Sequence, residues 1–171
     1  SGEAALGKHL SLAGEMVIAL RLQQIAGGIA PRFALREGSE LEYVTTLEEI
    51  PDAKLEWTLQ WLRDHLNGNT RVILWHRFNA EVRRYYREIV QLVGKDGVVF
   101  CNRDTSDRDL IDYKQSFNSR SADGVQVIVA QIDKMHAGHN LQAGDFNIYV
   151  SHTWSYIKRA QSEDRTHRLG R

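Results

Sequence analysis

Two arginines and a glutamine near the carboxyl end of the chain have the spacing needed to hold a phosphate group. Gln161 is followed after four residues by Arg165 and after seven by Arg168. On a helix, residues three and four positions apart lie on one face, so these three side chains would point the same way. Guanidinium groups bind phosphate oxygens through paired hydrogen bonds, which makes this stripe a candidate anion site. A solvated helix end rich in arginine is the alternative that the spacing alone leaves open.

The three residues belong to the segment QSEDRTHRLGR at 161–171, and two earlier segments of the chain are considered with it. An apolar stretch, VIVA at 127–130, precedes MHAGHNLQA at 135–143, and RVILWHRF occupies 71–78. Together the three segments resemble motifs VI, V and IV of superfamily-two helicases and translocases, most closely in their SWI/SNF-type form. His136, His139 and Arg171 depart from the family pattern. The sequence QSEDRTHR resembles that of the short SWI/SNF-like helicases of phages and prophages. So does Ser155-Tyr156, which stands in place of Asn-Pro after Trp154.

The resemblance implies the second of two RecA-like lobes, which sandwich ATP between them. It implies that Arg165 and Arg168 act as arginine fingers that stabilise charge on the transferred phosphoryl group. Gln161 would couple that site to motif V, Gly138 would allow close backbone approach, and Asn140 would tie the loop to nucleotide or DNA. The contacts implied to the DNA backbone are Arg77, Thr105, Lys134 and Gln142. ATP and Mg²⁺ would be cofactors of the complete enzyme, with the N-terminal ATP-binding lobe of the same polypeptide as a partner.

The alternation of elements predicts an α/β fold. Continuous apolar stretches at 71–75, 97–100, 125–130 and 146–150 predict strands, and helical patterns cover 52–66, 79–93, 106–117 and 155–167. Asn79 and Ser106 are placed to cap two of these helices. Apolar strands separated by helices favour a parallel sheet covered on both faces. We therefore expect a three-layer RecA-like fold with a central parallel sheet flanked by helices, preceded by a helical linker.

The predicted domains are 1–51, a helical linker or extension from the preceding lobe, and 52–171, the RecA-like domain. The linker has a helical pattern over 10–26 and a polar, acidic connector over 30–51, with a short strand near 41–45. In open α/β sheets the site lies beyond the carboxyl ends of the strands. The segments 77–78, 102–105 and 133–140 all follow strands, so we expect them to share one rim.

The chain lacks the residues that cradle a triphosphate. GEAALGKH at 2–9 has the spacing of a phosphate loop, but His9 replaces the Ser or Thr whose hydroxyl binds magnesium. No strand ends in Asp-Glu, since Asp133 is followed by Lys134. We therefore expect no ATPase activity from this chain alone and no cofactor bound to it.

Composition fits an ordinary soluble domain, and the resemblance implies the cytoplasm of a bacterial or phage-infected cell. The 171 residues are 42% hydrophobic and 26% charged, which favours neither disorder nor a membrane span. A single cysteine, Cys101, is compatible with a reducing compartment and is interpreted as packing rather than nucleophilic. The start, Ser1-Gly2-Glu3, is typical of an internal cut rather than of a signal peptide.

The net charge is zero, yet the charges are unevenly placed. Between 71 and 91 there are five arginines against two acidic residues, and between 153 and 171 five basic residues against two acidic ones. These segments allow a local phosphate-binding face, for which we expect weak, salt-sensitive DNA affinity. Trp154, at a strand end, is a further candidate to lie near DNA.

Two alternatives remain open. His136, His139 and His152 make a zinc site conceivable, although no cysteine or matched fourth ligand accompanies them. For function, the alternative to a motor lobe is a non-catalytic RecA-like interaction or regulatory module.

Overall fold

The computed structural model describes residues 2–35, 42–135 and 140–166 of the chain. The chain divides into two compact units, Ser1–Asp52 and Ala53–Arg171. Among the described residues, no helix has both the length and the apolar character that crossing a membrane requires.

The first unit combines one long helix with a β-hairpin. Helix α1 spans Gly2–Ala26, and strands β1 (Ile29–Leu35) and β2 (Glu42–Glu49) pair antiparallel. Gly28, with a φ of 74°, lies between α1 and β1 in a backbone conformation that glycine adopts without strain. The predicted helix is confirmed, but the predicted polar connector forms two strands. The β-branched run Val44-Thr45-Thr46 favours a strand despite its acidic neighbours.

The second unit is built on a four-stranded parallel sheet. Its strands are β3 (Val72–His76), β4 (Val98–Cys101), β5 (Val127–Gln131) and β6 (Phe146–Tyr149), in the order β4-β5-β3-β6. Helices α2 (Ala53–His65), α3 (Asn79–Val93), α4 (Asp107–Ser119), α5 (Ile132–Met135) and α6 (Tyr156–Glu163) connect and follow them. All sheet pairings are parallel, as the apolar strands predict.

Alternate residues of each strand enter two separate cores, one on each face of the sheet. Val72 and Leu74 pack with residues of α2 and α3, whereas Ile73 and Trp75 pack with residues of α4. The predicted three-layer α/β architecture is therefore confirmed. Cys101 is buried in the α4-side core, and burial raises the pKa of its thiol to about 12, which supports the packing interpretation.

The predicted caps are right for one helix and wrong for another. Ser106 precedes α4, and its Oγ accepts a hydrogen bond from Asp109 N at 3.1 Å, as predicted. Asn79 is not the cap of α3 but its first residue, and Phe78 occupies the cap position. The Asn79 side chain is engaged elsewhere, since its Oδ1 accepts from Asn102 Nδ2 at 2.7 Å.

A buried arginine stabilises the amino end of the sheet. The side chain of Arg71 has no exposed surface and donates to the carbonyl oxygens of Gly68 at 2.8 Å, Ser121 at 2.7 Å and Phe117 at 3.3 Å. Burial, followed by the charge of Arg120, lowers its pKa, and Asp145 partly opposes this shift. The guanidinium thus joins the end of α4 to two loops, at the end of the sheet opposite residues 77–78 and 102–105.

Candidate functional site

The carboxyl ends of the strands form one rim, as the parallel pairing requires. Residues 77–78 follow β3, 102–105 follow β4, 132–135 follow β5 and 150–154 follow β6. Gln131 bridges two of these ends, since its Nε2 donates to Arg77 O at 3.4 Å and its Oε1 accepts from Arg103 N at 3.3 Å. Residues 77–78 and 102–105 therefore lie together, and 133–135 follow the strand between them. Asn140 lies away from this rim, since its carbonyl oxygen accepts from Asn118 Nδ2 at 3.0 Å near the carboxyl end of α4.

Arg77 stacks on an aromatic side chain from a neighbouring loop. Its guanidinium carbon lies 4.1 Å from the ring centroid of Trp154 and 5.3 Å from that of Phe78. Trp154 is 53% exposed, so the stack is open to solvent. The Arg77 N–H donates to Ser151 Oγ at 2.7 Å, which joins the loop after β3 to the loop after β6. This arrangement presents a cation and an aromatic face together at the rim.

Thr105 closes a turn in the loop after β4. Its Oγ1 accepts from Asn102 N at 3.0 Å and donates to Asn102 Oδ1 at 3.1 Å. The half-buried hydroxyl is therefore already hydrogen-bonded within the protein. A contact of Thr105 with DNA stays a prediction.

Lys134 lies on α5, the single helical turn after β5, which the sequence did not predict. Its Nζ lies 3.5 Å from Oδ1 of the exposed Asp107, a pairing that solvent weakens strongly. The same turn carries Asp133, which pairs with Lys158 of α6. Lys134 is thus at the rim, where its charge is partly balanced.

The described end of the motif V segment, residues 140–143, contains two of the predicted residues. Asn140 Nδ2 donates to Gln142 Oε1 at 3.2 Å, and Gln142 is exposed. Asn140 Oδ1 is buried and has no hydrogen-bond partner among the described residues. Gly138 lies outside the described residues, as do His136 and His139, so neither its role nor the zinc alternative is tested. Elsewhere in the described ranges, no group of three His, Cys, Asp or Glu residues could hold a metal ion.

Helix α6 and the turn after it are joined to the sheet by polar side chains. Trp75 Nε1 donates to Asn147 Oδ1 at 2.9 Å, and Asn147 Nδ2 donates to Thr166 Oγ1 at 2.7 Å. Tyr149 Oη lies 2.7 Å from Ser162 Oγ, within hydrogen-bond distance. These contacts connect buried β3, through edge strand β6, to the motif VI segment at 161–166.

Arg165 lies in a turn beyond α6, which ends at Glu163 and not at the predicted His167. Its Nε donates to Gln161 O at 2.9 Å, so the two residues remain neighbours although no helix continues between them. The carbonyl oxygen of Arg165 accepts from Leu141 N at 3.2 Å. The segment at 161–166 is therefore joined to the segment at 140–143 through the backbone of Arg165, and the coupling role expected of Gln161 stays a prediction. Arg168 lies outside the described residues, so the predicted stripe of three side chains is not tested as a whole.

Close packing explains the early end of α6. Thr166 is 7% exposed, and a Cβ atom added to Gly144 would lie 2.8 Å from Thr166 Cγ2 and 3.0 Å from Ile73 Cδ1. Contacts this short leave no room for a side chain at position 144. Gly144 thus allows the turn to reach the sheet, a role that the sequence analysis missed.

Arg159 is a second residue that the sequence analysis missed. Its guanidinium carbon lies 3.4 Å from the ring centroid of Tyr149, and it donates to Glu163 Oε1 at 2.5 Å and lies 2.8 Å from His152 Nδ1. Burial raises the pKa of Tyr149, an effect that the Ser162 hydrogen bond and the Arg159 charge partly oppose. The spacing of Arg159 and Glu163, four residues apart on a helix, was the signal that could have indicated this pair.

Comparisons with known proteins identify the fold. No protein-family model matches the chain, and no curated protein has significant sequence similarity to it. The structure is similar to the crystal structure of the C-terminal part of the Fun30 ATPase domain, with a TM-score of 0.59 and 14% identity. The similarity covers 70% of this chain and 37% of that one. At this level of identity it establishes the fold alone: a three-layer RecA-like α/β domain of the type found in an ATPase.

The contact between Asn147 and Thr166 is expected to hold the motif VI turn in place. Thr166→Val keeps the shape of the side chain but leaves Asn147 Nδ2 without its acceptor, which should lower the free energy of unfolding by about 1–3 kcal/mol. Because the turn presents the carbonyl oxygen that binds Leu141 N, hydrogen exchange at this amide should also accelerate. Thr46→Val, at an exposed position of the hairpin, is the control and should change stability by no more than about 0.5 kcal/mol. Unchanged exchange at Leu141 in Thr166→Val would contradict the anchoring role.

Proposed function

We propose that this chain is the second motor lobe of an ATP-dependent DNA helicase or translocase of the SWI/SNF type. The observation that carries the proposal is the hydrogen bond between Leu141 N and Arg165 O, which joins the motif V and motif VI segments. Two loops that resemble a nucleotide-sensing pair are thus in direct contact on a RecA-like sheet. The likeness to part of an ATPase domain supports the same function.

Arg165 is the described residue best placed to act on a nucleotide in this proposal. The hydrogen bond from its Nε to Gln161 O fixes the stem of the side chain next to the turn. Together with Arg168, it would cross to a nucleotide held by another lobe and stabilise the charge that develops during phosphoryl transfer. Asn140 and Gly138 would form the side of motif V that senses the nucleotide.

ATP and Mg²⁺ would be held mainly by an N-terminal ATP-binding lobe of the same polypeptide. Residues 2–9 have the spacing of a phosphate loop but cannot bind a triphosphate as such a loop does. They lie within helix α1 and not in a loop between a strand and a helix. This chain would therefore supply arginine side chains to a nucleotide that the other lobe holds. In this proposal the chain alone has no ATPase activity.

Most of the DNA contacts in this proposal lie on the rim. Arg77, Thr105 and Lys134 follow strand ends, and the exposed Trp154 stacks on Arg77. Gln142 lies apart from them, in the segment that leads into the amino end of β6, since the neighbouring Ala143 N donates to Asn118 Oδ1 at 3.2 Å. Contacts of this kind are made to the sugar-phosphate backbone and carry no base specificity. The alternative, a RecA-like interaction module, requires neither an arginine finger nor DNA binding.

Substitution of Arg165 tests the motor assignment in the complete two-lobe enzyme. Arg165→Ala should lower the rate of DNA-stimulated ATP hydrolysis by about a thousand-fold, the contribution typical of an arginine finger. Arg165→Lys should restore little of it, because an ammonium group lacks the planar fork. Steady-state ATP turnover at saturating ATP and DNA is the measurement.

Arg63→Ala, at an exposed position near the end of α2, is the matched control and should leave turnover unchanged. Thermal unfolding of each variant separates loss of chemistry from loss of fold. Wild-type turnover in Arg165→Ala would favour the non-catalytic module.

The affinity of the chain for DNA should be weak, independent of sequence and steeply dependent on salt, since phosphate contacts dominate it. Arg77→Ala should weaken binding to all sequences alike and reduce the slope of log K against log salt by about 1. Fluorescence anisotropy with labelled DNA across a salt series is the measurement, and Arg87→Ala, an exposed arginine of α3, is the control. Tight binding that persists at about 0.5 M salt would mean that base stacking or specific readout dominates instead.

A further inference from the structure

Three buried polar side chains meet beneath the stack of Arg77 on Trp154. His76 and Glu81 have no exposed surface, and Ser151 is 2% exposed. Glu81 Oε2 accepts from Ser151 Oγ at 2.5 Å and from Phe78 N at 3.4 Å, and it lies 3.7 Å from His76 Nδ1. The cluster therefore joins the end of β3, the first turn of α3 and the loop after β6.

Stability alone does not explain this cluster. Glu81 Oε1 and both ring nitrogens of His76 are buried without hydrogen-bond partners among the described residues. A buried polar group without a hydrogen bond lowers stability, and apolar side chains of similar size would avoid that cost. What partly offsets it for Glu81 is its place in the first turn of α3, where the amino terminus of a helix favours a carboxylate.

The hydrogen bonds of the cluster lead directly to the rim. Ser151 Oγ donates to Glu81 and accepts from the backbone N–H of Arg77 at 2.7 Å. The carboxylate therefore fixes the orientation of the hydroxyl, and the hydroxyl fixes the backbone of Arg77. Trp154 emerges from the loop that begins with Ser151, so both partners of the stack start from residues attached to this chain of bonds.

We propose that Glu81, acting through Ser151, is a positioning residue that sets the Arg77–Trp154 stack on the rim. The positioning role itself does not depend on the proposed function. Only the further step, in which this stack contacts the DNA backbone, rests on it. Glu81 itself is buried and touches no ligand. Its effect is to hold two loops at a fixed separation, so that the guanidinium and the indole present one joint surface.

The test compares serine variants that have the same local chemistry at opposite ends of the sheet. Ser151→Ala removes the hydroxyl that binds Arg77 N, whereas Ser116→Ala removes a hydroxyl near the carboxyl end of α4 that accepts from Val125 N at 3.1 Å. Ser151→Thr keeps the hydroxyl. The readouts are the indole N–H resonance of Trp154, assigned with Trp154→Phe, the stability of each variant, and DNA affinity at low salt.

We expect the Trp154 resonance to move in Ser151→Ala, to stay near its wild-type position in Ser151→Thr and to be unaffected in Ser116→Ala. In Ser151→Ala the dissociation constant for DNA should rise about three-fold or more, which is half a logarithmic unit. In Ser116→Ala it should stay unchanged. Glu81→Met, which has a side chain of similar length but no oxygen to accept from Ser151 Oγ, should move the same resonance and serves where Ser151→Ala fails to fold.

An unmoved Trp154 resonance in folded Ser151→Ala and Glu81→Met, with stability lowered as in Ser116→Ala, would overturn the positioning role. Absence of DNA binding by the unaltered chain would contradict the proposed function instead. The shift of the indole resonance would then still support the positioning role, so the two failures are distinguishable.

Discussion

The hydrogen-bonded connection from Trp75 through Asn147 to Thr166 is the interaction on which the candidate site depends. Helix α6 contributes one fully buried side chain, Ser162, and leaves Tyr156 and Ile157 largely exposed at 82% and 65%. Apolar packing therefore does little to hold it. The indole of Trp75 is fully buried, so the bond it makes begins in the core, where hydrogen bonds are stronger than in water. Thr166, at the far end of the connection, brings Arg165 into contact with residue 141.

The two ends of the sheet have different kinds of polar interaction. At the amino end the buried guanidinium of Arg71 binds backbone carbonyl oxygens, an arrangement that stabilises loops and presents no group to solvent. At the carboxyl end the polar groups form a series from buried Glu81, through Ser151, to the exposed stack of Arg77 on Trp154. The interactions at the carboxyl end therefore finish at the surface, whereas the contact between Leu141 and Arg165 lies where the chain enters β6 from its amino end.

Much of the central fold could be predicted from the sequence because its strands are continuous apolar runs. Val72–His76 begins and ends within one residue of its predicted bounds and Val127–Gln131 within two. Ser106 caps α4 through the bond that its spacing predicts. The hairpin of the first unit was not predicted beyond one short strand, because acidic residues obscure its β-branched run. The position of Arg77 could be predicted because sites in open α/β sheets lie beyond the carboxyl ends of the strands. Its stack on Trp154 could not be predicted, since loop conformation has no simple periodicity.

The end of α6 shows where local pattern fails. A helical pattern continues to His167, but the tertiary contact of Thr166 with Asn147 and the close approach at Gly144 end the helix at Glu163. The contact with Leu141 is made by the backbone carbonyl of Arg165, which no sequence motif records. Arg159 was missed because its partners Tyr149 and His152 lie on another element, and only its bond to Glu163 is local.

The most direct test of the motor-lobe assignment is to compare DNA-stimulated ATP hydrolysis by this chain alone and by a polypeptide that also carries the N-terminal ATP-binding lobe. The assignment predicts that the two-lobe polypeptide hydrolyses ATP in a DNA-dependent manner and that the 171-residue chain shows no hydrolysis above background. DNA-stimulated hydrolysis by the rigorously purified chain alone would contradict it, because the described residues provide no phosphate loop to hold the triphosphate.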